Sequence, residues 1–221
     1  MANISQQILR RARGHGKGRW IFSATDFLDL GSRAAVDQAL SRLVKAGNAR
    51  RVKRGLYDLP RIGKLLKKPA PPSLDAAVAA LARRDNIRIL PDGMDAANKL
   101  GLTNAVPAKA RFLTDGRTRT VSIRGRTLQL RHASPKVMYW ADRPAALAVQ
   151  ALRWLGPDAA GTSETRETLR RRLPDDVKAD LARGAHLLPG WAAPVVQAIV
   201  DEEACVPDAP GTRLAEPFPA K

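Results

Sequence analysis

Polar side chains that can read nucleic-acid bases recur on one face of a helix predicted between Ser32 and Gly47. Apolar residues at helical spacing predict that the other face is buried: Val36, Leu40, Leu43 and Val44. The opposite face carries Ser32, Arg33, Ala34, Asp37, Gln38, Ser41 and Arg42. An arginine can donate two hydrogen bonds to guanine, and a glutamine can pair with adenine. The spacing therefore predicts contacts with base edges.

A basic segment follows this helix. Two short strands between residues 49 and 59 flank Arg54-Gly55, which predicts a tight hairpin that carries Arg50, Arg51, Lys53 and Arg54. A basic hairpin beside a recognition helix can lie along phosphates or enter the minor groove. Backbone contacts are also predicted for Arg10, Arg11, Lys17 and Arg19. Phosphate neutralisation of this kind predicts affinity that falls steeply with salt. Taken singly, each of these cations can instead be a solvated surface side chain.

Sequence patterns of catalysis and of metal binding are absent. There is no Gly-x-Ser-x-Gly elbow, no Walker loop and no His-Glu-x-x-His helix. His15, His132 and His186 stand far apart, and Cys205 is the one cysteine, which predicts an idle thiol. Three glycines between Gly14 and Gly18 predict a flexible basic loop, since the second half of a dinucleotide fingerprint is missing. We therefore predict no enzymatic activity, no cofactor and no metal site.

The elements before the recognition helix complete a winged helix-turn-helix pattern. Asn3 is a candidate N-cap for a helix whose apolar positions recur every fourth residue, and a short apolar strand is predicted over 20–22. Ser23 and Asp26 form a capping-box pattern that opens a short helix, which ends at Gly31. Helix, strand, helix, turn, helix and hairpin is the order of a winged helix-turn-helix, whose recognition helix enters the major groove.

Composition changes after the hairpin and predicts a second domain. Residues 63–72 are basic and then rich in proline, which predicts a linker after a DNA-binding domain at 1–62. A mixed α+β domain is predicted at 73–207 and a loose tail at 208–221. The fold class is α+β, with a winged helix-turn-helix, then a mixed helix and antiparallel-sheet region, then C-terminal helices.

The predicted second domain begins with a helix capped by Ser73. A strand near 87–90 and a helix over 92–100 follow. Alternating patterns predict an antiparallel meander at 110–114, 119–123 and 127–132, with turns at Asp115-Gly116 and Arg124-Gly125. Helices are predicted at 143–155, 163–172, 175–184 and 192–204. Six arginines fall on or beside the meander: Arg111, Arg117, Arg119, Arg124, Arg126 and Arg131. They are a candidate surface for nucleic acid or another partner, or a solvated sheet face.

The charge of the chain favours a polyanionic partner. Lys and Arg number 38 against 21 Asp and Glu, which gives a formal net charge of +17. Residues 1–72 hold 16 basic against 4 acidic side chains, whereas residues 156–221 hold 8 against 11. The excess therefore concentrates in the predicted winged region. We find no export signal or membrane-spanning apolar run and expect a cytoplasmic protein without membrane contacts.

Three segments resemble a known family. Trp20 to Leu28, the helix from Ser32 to Gly47, and Arg51 to Tyr57 are similar to the N-terminal domain of AbiEi-like antitoxins of type IV toxin–antitoxin systems, which act in abortive infection of phage-infected bacteria. The similarity is firmest over residues 1–60, and the pattern from 73 to 140 extends it.

That resemblance implies two activities. The winged domain would bind operator repeats in double-stranded DNA and repress the antitoxin–toxin operon. The second domain would counter a nucleotidyltransferase-type toxin, a functional partner with which no stable complex is required. Two alternatives stand beside it: a winged-helix regulator whose second domain binds an effector or mediates dimerisation, and a DNA-binding nuclease. Metal-dependent nucleases usually need clustered carboxylates with a nearby lysine, and no Glu-x-Lys or Asp-x-Lys arrangement follows a predicted strand in this sequence.

Overall fold

The structure, a computed structural model, describes residues 3–63 and 67–201. It divides into two compact units, residues 1–155 and residues 156–221. Helices and two small sheets make up the described residues, so the predicted α+β class is confirmed. The predicted boundaries at 62 and 72 stay a prediction.

The N-terminal part has the element order of a winged helix-turn-helix. Its elements are α1 (Ile4–Gly14), β1 (Ile21–Phe22), a 3₁₀ segment (Ala24–Leu30), α2 (Arg33–Lys45), β2 (Arg50–Lys53) and β3 (Leu56–Asp58). The three strands form an antiparallel sheet in the order β1-β3-β2. The Asn3 side chain caps α1 by accepting a hydrogen bond from the Ser5 amide at 3.1 Å. The side-chain oxygen of Asn3 thus caps α1 at the position that the sequence predicts.

The helix that precedes α2 departs from the prediction of an ordinary short helix. It is a 3₁₀ segment with a kink at Phe27, whose φ is −134°. The predicted capping box does form, since the Asp26 carboxylate accepts from the Ser23 amide at 2.8 Å. Phe27 is fully buried against Phe22 at a ring separation of 5.5 Å. Burial of this ring accompanies the break in regular α-helical geometry.

One apolar core holds α1, the 3₁₀ segment and α2 together. Ile8, Phe22 and Leu40 are fully buried within it. Gly31 precedes α2 closely packed against α1, since a Cβ there would lie 3.1 Å from Cδ1 of Ile4. A side chain at this position would therefore require the Ile4 side chain to shift by a few tenths of an ångström.

The rest of the first unit is built around a four-stranded sheet. Its elements are α3 (Leu74–Asp85), β4 (Ile89–Pro91), α4 (Gly93–Lys99), β5 (Ala110–Thr114), β6 (Arg119–Ile123), β7 (Arg126–His132) and α5 (Pro135–Met138). Ser73 caps α3, as the sequence predicts, by accepting from the Ala76 amide. Helix α6 is Ala146–Ala160, and Gly156 within it has a non-helical φ of +72°.

The predicted antiparallel meander of β5, β6 and β7 is wrong. The strand order is β4-β5-β7-β6, so β7 lies between β5 and β6, and β5 pairs parallel with β7. Only the hairpin of β6 and β7 about Arg124-Gly125 is as predicted. Asp115-Gly116 is not a hairpin turn, because β5 and β6 do not pair with each other. The Asp115 carboxylate accepts from the Arg88 amide and guanidinium, both at 2.9 Å. These bonds attach the end of β5 to the segment before β4.

The two sheets of the first unit share one apolar core. Ile21, Val52 and Leu56 of the wing sheet are buried with α3 residues such as Leu81. Phe112, Val121, Ile123, Leu128 and Leu130 of the four-stranded sheet belong to the same cluster. The side of the wing sheet that faces away from α2 is therefore covered by the sheet region.

The second unit is helical in its described part. It contains α7 (Ser163–Arg172), α8 (Asp175–Arg183), a 3₁₀ turn (Ala185–Leu187) and α9 (Ala192–Val200), close to the predicted helices. Thr162 caps α7 by accepting from the Thr165 amide at 3.3 Å. The predicted end of the last helix at 204, Cys205 and the tail at 208–221 lie outside the described residues.

Candidate nucleic-acid interface

The face of α2 that the sequence predicts for DNA contact is exposed throughout. Val36, Leu40 and Leu43 are buried in the winged core, and Val44 packs against it half-buried. The opposite face is open to solvent and carries Ser32, Arg33, Ala34, Asp37, Gln38, Ser41 and Arg42. The helix thus separates a core side from a polar side as the spacing predicts.

Two residues on this face already have partners within the helix. Ser32 is the N-cap, and its hydroxyl accepts from the Ala35 amide at 3.3 Å. The Arg33 Nε lies 2.9 Å from the Asp37 carboxylate, with both side chains at least half exposed. Among the described residues we find no hydrogen bond or ion pair that engages the side chain of Gln38 or Arg42. These two side chains are therefore open to an external partner.

The wing presents two of its predicted cations to solvent. Arg51 is exposed, with its guanidinium 5.7 Å from the centre of the Tyr57 ring. Arg54 is exposed at the turn, and its carbonyl accepts from Arg84 at 3.3 Å. Lys53 is half-buried, and its Nζ donates to the Ser122 carbonyl at 3.3 Å. The wing is thus attached to β6 and α3 beside the cations it exposes.

Arg50 lies in a different environment from the other wing cations. Its guanidinium donates to both carboxylate oxygens of Asp58, with Nε to Oδ1 at 2.9 Å. The Asp58 side chain is 0% exposed and that of Arg50 is 13% exposed. The predicted DNA contact of Arg50 stays a prediction, but its side chain already has an internal partner. The sequence contained a signal for this pair. Arg50 and Asp58 each lie four positions from Arg54, so a hairpin that turns near Arg54 places them opposite each other.

Of the four cations predicted to contact the DNA backbone, one is bonded within the protein and three are exposed. Arg11 donates to Asp29 at 2.9 Å and to the Asp26 carbonyl, which ties α1 to the 3₁₀ segment. The hydrogen bond from Arg11 lowers the pKa of Asp29. Arg10, Lys17 and Arg19 are exposed.

The six arginines near the predicted meander do not form one surface. Arg111 pairs in register with Gln129, on the sheet face opposite the buried Phe112 and Leu130, and Arg131 lies on that same outer face. Arg119 instead forms an ion pair with Asp85 of α3. Arg124 occupies the hairpin turn, with a φ of +49°. Arg117 is exposed before β6, and Arg126 lines a pocket next to Arg61.

Sequence reasoning missed the residues that join the wing to α3. Arg83 donates to the Ile21 carbonyl at 2.7 Å and to the Asp26 carboxylate at 3.0 Å. Arg84 bonds Asp85 in addition to the Arg54 carbonyl. The hydrogen bond from Arg84, aided by Arg119, lowers the pKa of Asp85. The sequence offered no local signal for the contacts of Arg83 with Ile21 and Asp26 or of Arg84 with Arg54, because these residues are at least 30 positions apart along the chain.

The described residues form neither a metal-ion cluster nor a membrane-spanning helix. Within residues 3–63 and 67–201, no group of three or more His, Cys, Asp or Glu side chains is arranged to hold a metal ion. No helix in the same described ranges is both long and apolar enough to cross a membrane.

Comparison with known proteins gives one family and one solved structure. Residues 7–180 match the model of a family of unknown function, DUF6088. The crystal structure of the RV2827C protein from Mycobacterium tuberculosis is 16% identical and covers 90% of this chain and 81% of its own, with a TM-score of 0.39. A similarity at that score does not by itself establish a common fold. No curated protein matches the chain.

Proposed function

Because this chain belongs to the DUF6088 family, whose description assigns no function, we propose its function from the geometry of α2 and the wing. The protein binds double-stranded DNA, with α2 in the major groove and the wing along the backbone. The observation that carries this proposal is the polar face of α2, which is exposed over its whole length while the opposite face is buried. A helix fits the major groove and meets base edges with its N-terminal residues.

The contacts within α2 are compatible with base recognition. An exposed ion pair contributes only about 0.2–1 kcal/mol, so Arg33 can leave Asp37 for a guanine at small cost. Gln38 has an exposed amide for adenine, and Ser41 and Arg42 extend the same face. Asp37 can accept from the amino group of cytosine. We assign sequence preference to this face.

The wing supplies contacts that do not depend on sequence. Arg51 and Arg54 project from the hairpin into solvent, where they can bind phosphates. Lys53 can join them by exchanging the Ser122 carbonyl for a phosphate oxygen. We leave Arg50 out of this interface because Asp58 already occupies its guanidinium.

A finer proposal rests on the resemblance of the winged segments to AbiEi-like antitoxins. The protein represses its own toxin–antitoxin operon by binding operator repeats and counters a nucleotidyltransferase-type toxin in phage defence. It has no catalytic activity of its own and works in the cytoplasm. Arg111 and Arg131 on the outer face of the four-stranded sheet are the members of the arginine set that we propose for an antitoxin surface.

A second candidate function is that of a DNA-binding regulator controlled by a small effector. A pocket of about 470 Å³ in the sheet region favours it. Its lining combines apolar side chains with charged ones, among them Val78, Ile87, Phe112, Arg88 and Asp142. That volume is within the range of small-molecule sites.

Two double variants test the assignment of α2 and the wing. Arg33→Ala with Gln38→Ala should reduce the preference for the promoter over random duplex by about 1–3 kcal/mol for each base that is no longer recognised. Lys53→Gln with Arg54→Gln should weaken both duplexes alike and reduce the salt slope by about two. Fluorescence anisotropy between 50 and 200 mM salt measures both effects. Equal weakening by both variants on both duplexes would contradict the assignment, and no salt-sensitive binding at all would contradict DNA binding.

The antitoxin proposal has its own test. Growth should be rescued when the protein is expressed with a toxin encoded beside its own gene, and failure in a well-expressed strain would contradict it. If the protein binds its promoter but does not rescue growth from the toxin, the effector-controlled regulator would be the better account of its function. Plasmid incubated with the protein and magnesium should remain intact, since we propose no nuclease.

A further inference from the structure

Four cations line a second site in the first unit, away from the exposed face of α2. A pocket of about 280 Å³ is bordered by Lys17, Arg19, Arg61 and Arg126, which we call the four-cation pocket. Its remaining lining residues are Gly18 and residues 70–73, which carry no charge. The cations come from separate segments: the loop after α1, the segment after β3, and the start of β7.

The charges of the four-cation pocket are not compensated within the described chain. Among residues 3–63 and 67–201, no carboxylate forms a salt bridge with any of its four cations. Elsewhere in the same unit, arginines have carboxylate partners, as with Arg50 and Asp58 or Arg88 and Asp115. Like charges gathered in one concavity repel each other, and an anion in their midst would offset that repulsion.

The walls of the pocket are fixed by hydrogen bonds. The Gly18 amide donates to the Leu59 carbonyl at 2.7 Å, and the Ala70 amide donates to the Arg61 carbonyl at 2.8 Å. Gly18 has a φ of +74°, and a Cβ there would lie 3.1 Å from the Cβ of Arg61. The loop that the glycine spacing predicted to be flexible is thus anchored, and the cavity is preorganised for binding.

The chemistry of this lining suits a phosphoryl group. Guanidinium groups donate paired hydrogen bonds in the geometry of phosphate oxygens, and lysine adds a compact charge. A volume of about 280 Å³ is at the lower limit of small-molecule sites, which is enough for one or two phosphoryl groups. We propose that the four-cation pocket binds a phosphoryl group, from a free phosphorylated molecule or from a nucleic-acid backbone.

Calorimetry of the full chain with pyrophosphate tests the pocket directly. The buffer contains no phosphate, and the ionic strength is held constant. Saturable binding is expected, and Lys17→Gln with Arg126→Gln should weaken it at least about tenfold, since two charge-assisted hydrogen bonds to the phosphoryl oxygens are lost. The matched control is Lys136→Gln with Arg153→Gln, two exposed cations outside the pocket, and it should bind as the parent does. Equal weakening in both variants would overturn the proposal.

The salt dependence of duplex binding distinguishes the two sources. If a backbone phosphate occupies the pocket, the pocket variant lowers the salt slope by about one or two relative to the control variant. If the occupant is a free phosphorylated molecule, the pocket variant leaves the salt slope unchanged while it weakens pyrophosphate binding. The proposal is overturned if the parent fails to bind pyrophosphate and the slope also stays the same. Because pyrophosphate binding needs no duplex, it stands even if the proposed DNA binding fails.

Discussion

The two sheets of the first unit use their arginines differently. In the wing sheet, the adjacent residues Arg50 and Arg51 have opposite environments, one bound to a buried carboxylate and one exposed. In the four-stranded sheet, Arg111 and Arg131 lie on the outer face, while Arg119 reaches Asp85 on α3. A count of basic residues along a strand therefore says little about how many can bind a polyanion. An arginine that already pairs with a carboxylate, such as Arg50 or Arg119, is not open to a polyanion.

The partners also differ in how far along the chain they lie. Arg50 and Asp58 are joined by a hairpin, so their pairing follows from the local register of β2 and β3. Arg119 and Asp85 are 34 residues apart and meet through the packing of α3 on the sheet. A pair within one hairpin, such as Arg50 and Asp58, can be predicted from spacing once the turn is identified. A pair between distant elements, such as Arg119 and Asp85, depends on the whole fold.

The largest expected effect is on the buried pair of the wing sheet. Asp58→Asn leaves the Arg50 charge without its counter-ion in a site with little solvent, which should cost about 3–5 kcal/mol in the free energy of unfolding. Urea denaturation at pH 7 measures the change. The exposed Asp37→Asn serves as control and should change stability by less than about 1 kcal/mol. Similar destabilisation in both would show that Arg50 is not held as the structure has it.

Asp85→Asn should have the next largest effect, with a distinct pH dependence. Asp85 bonds both Arg84 and Arg119, and its removal should cost about 1–2 kcal/mol at pH 7. The hydrogen bond from Arg84 lowers the pKa of Asp85 in the folded protein, so its stabilisation is fully present above the unfolded value of about 3.9. It is lost as pH falls through the folded pKa. Urea curves of parent and variant should converge in acid, and a constant difference would contradict the pairing.

A smaller effect separates two arginines of the four-stranded sheet. Arg119→Gln removes one ion pair of Asp85 and should cost about 1 kcal/mol or less. Arg111→Gln changes a side chain on the open sheet face and should stay within about 0.5 kcal/mol of the parent. Thermal unfolding of both variants side by side makes the comparison. Equal destabilisation by the two variants would contradict the ion pair of Arg119 with Asp85 and the open position of Arg111.

The smallest effect concerns the acidic residue on the recognition face. If α2 enters the major groove, Asp37→Asn removes a negative charge near phosphates and releases Arg33, so affinity for random duplex should rise about two- to fivefold. Anisotropy at 100 mM salt is the measurement. Asp75→Asn, in the first turn of α3, is the control for a general change in net charge. An equal increase in both would remove Asp37 from the interface.

The sequence predicted α2 well because one physical signal dominates there. The stripe of Val36, Leu40 and Leu43 fixes which side is buried, and the exposed polar face follows from it. The hairpin at Arg54-Gly55 and the helix caps at Asn3 and Ser73 are likewise local features. These elements depend on a few neighbouring residues, which a single sequence contains.

Other features depended on contacts that spacing does not encode. Asp115-Gly116 has the composition of a hairpin turn, but Asp115 binds Arg88 and β7 takes the place beside β5. The non-helical geometry at Phe27 coincides with burial of its ring in the winged core. The four-cation pocket was missed because Arg126 approaches the loop after α1 only in the folded chain.

The apolar core shared by the two sheets has a consequence for how the first unit melts. Ile21, Val52 and Leu56 would become exposed to water if the sheet region unfolded alone, so its unfolding would destabilise the winged part. Loss of order should then occur in a single cooperative transition. A small molecule that binds only at the four-stranded sheet would raise the melting temperature of α2 as well, without touching it.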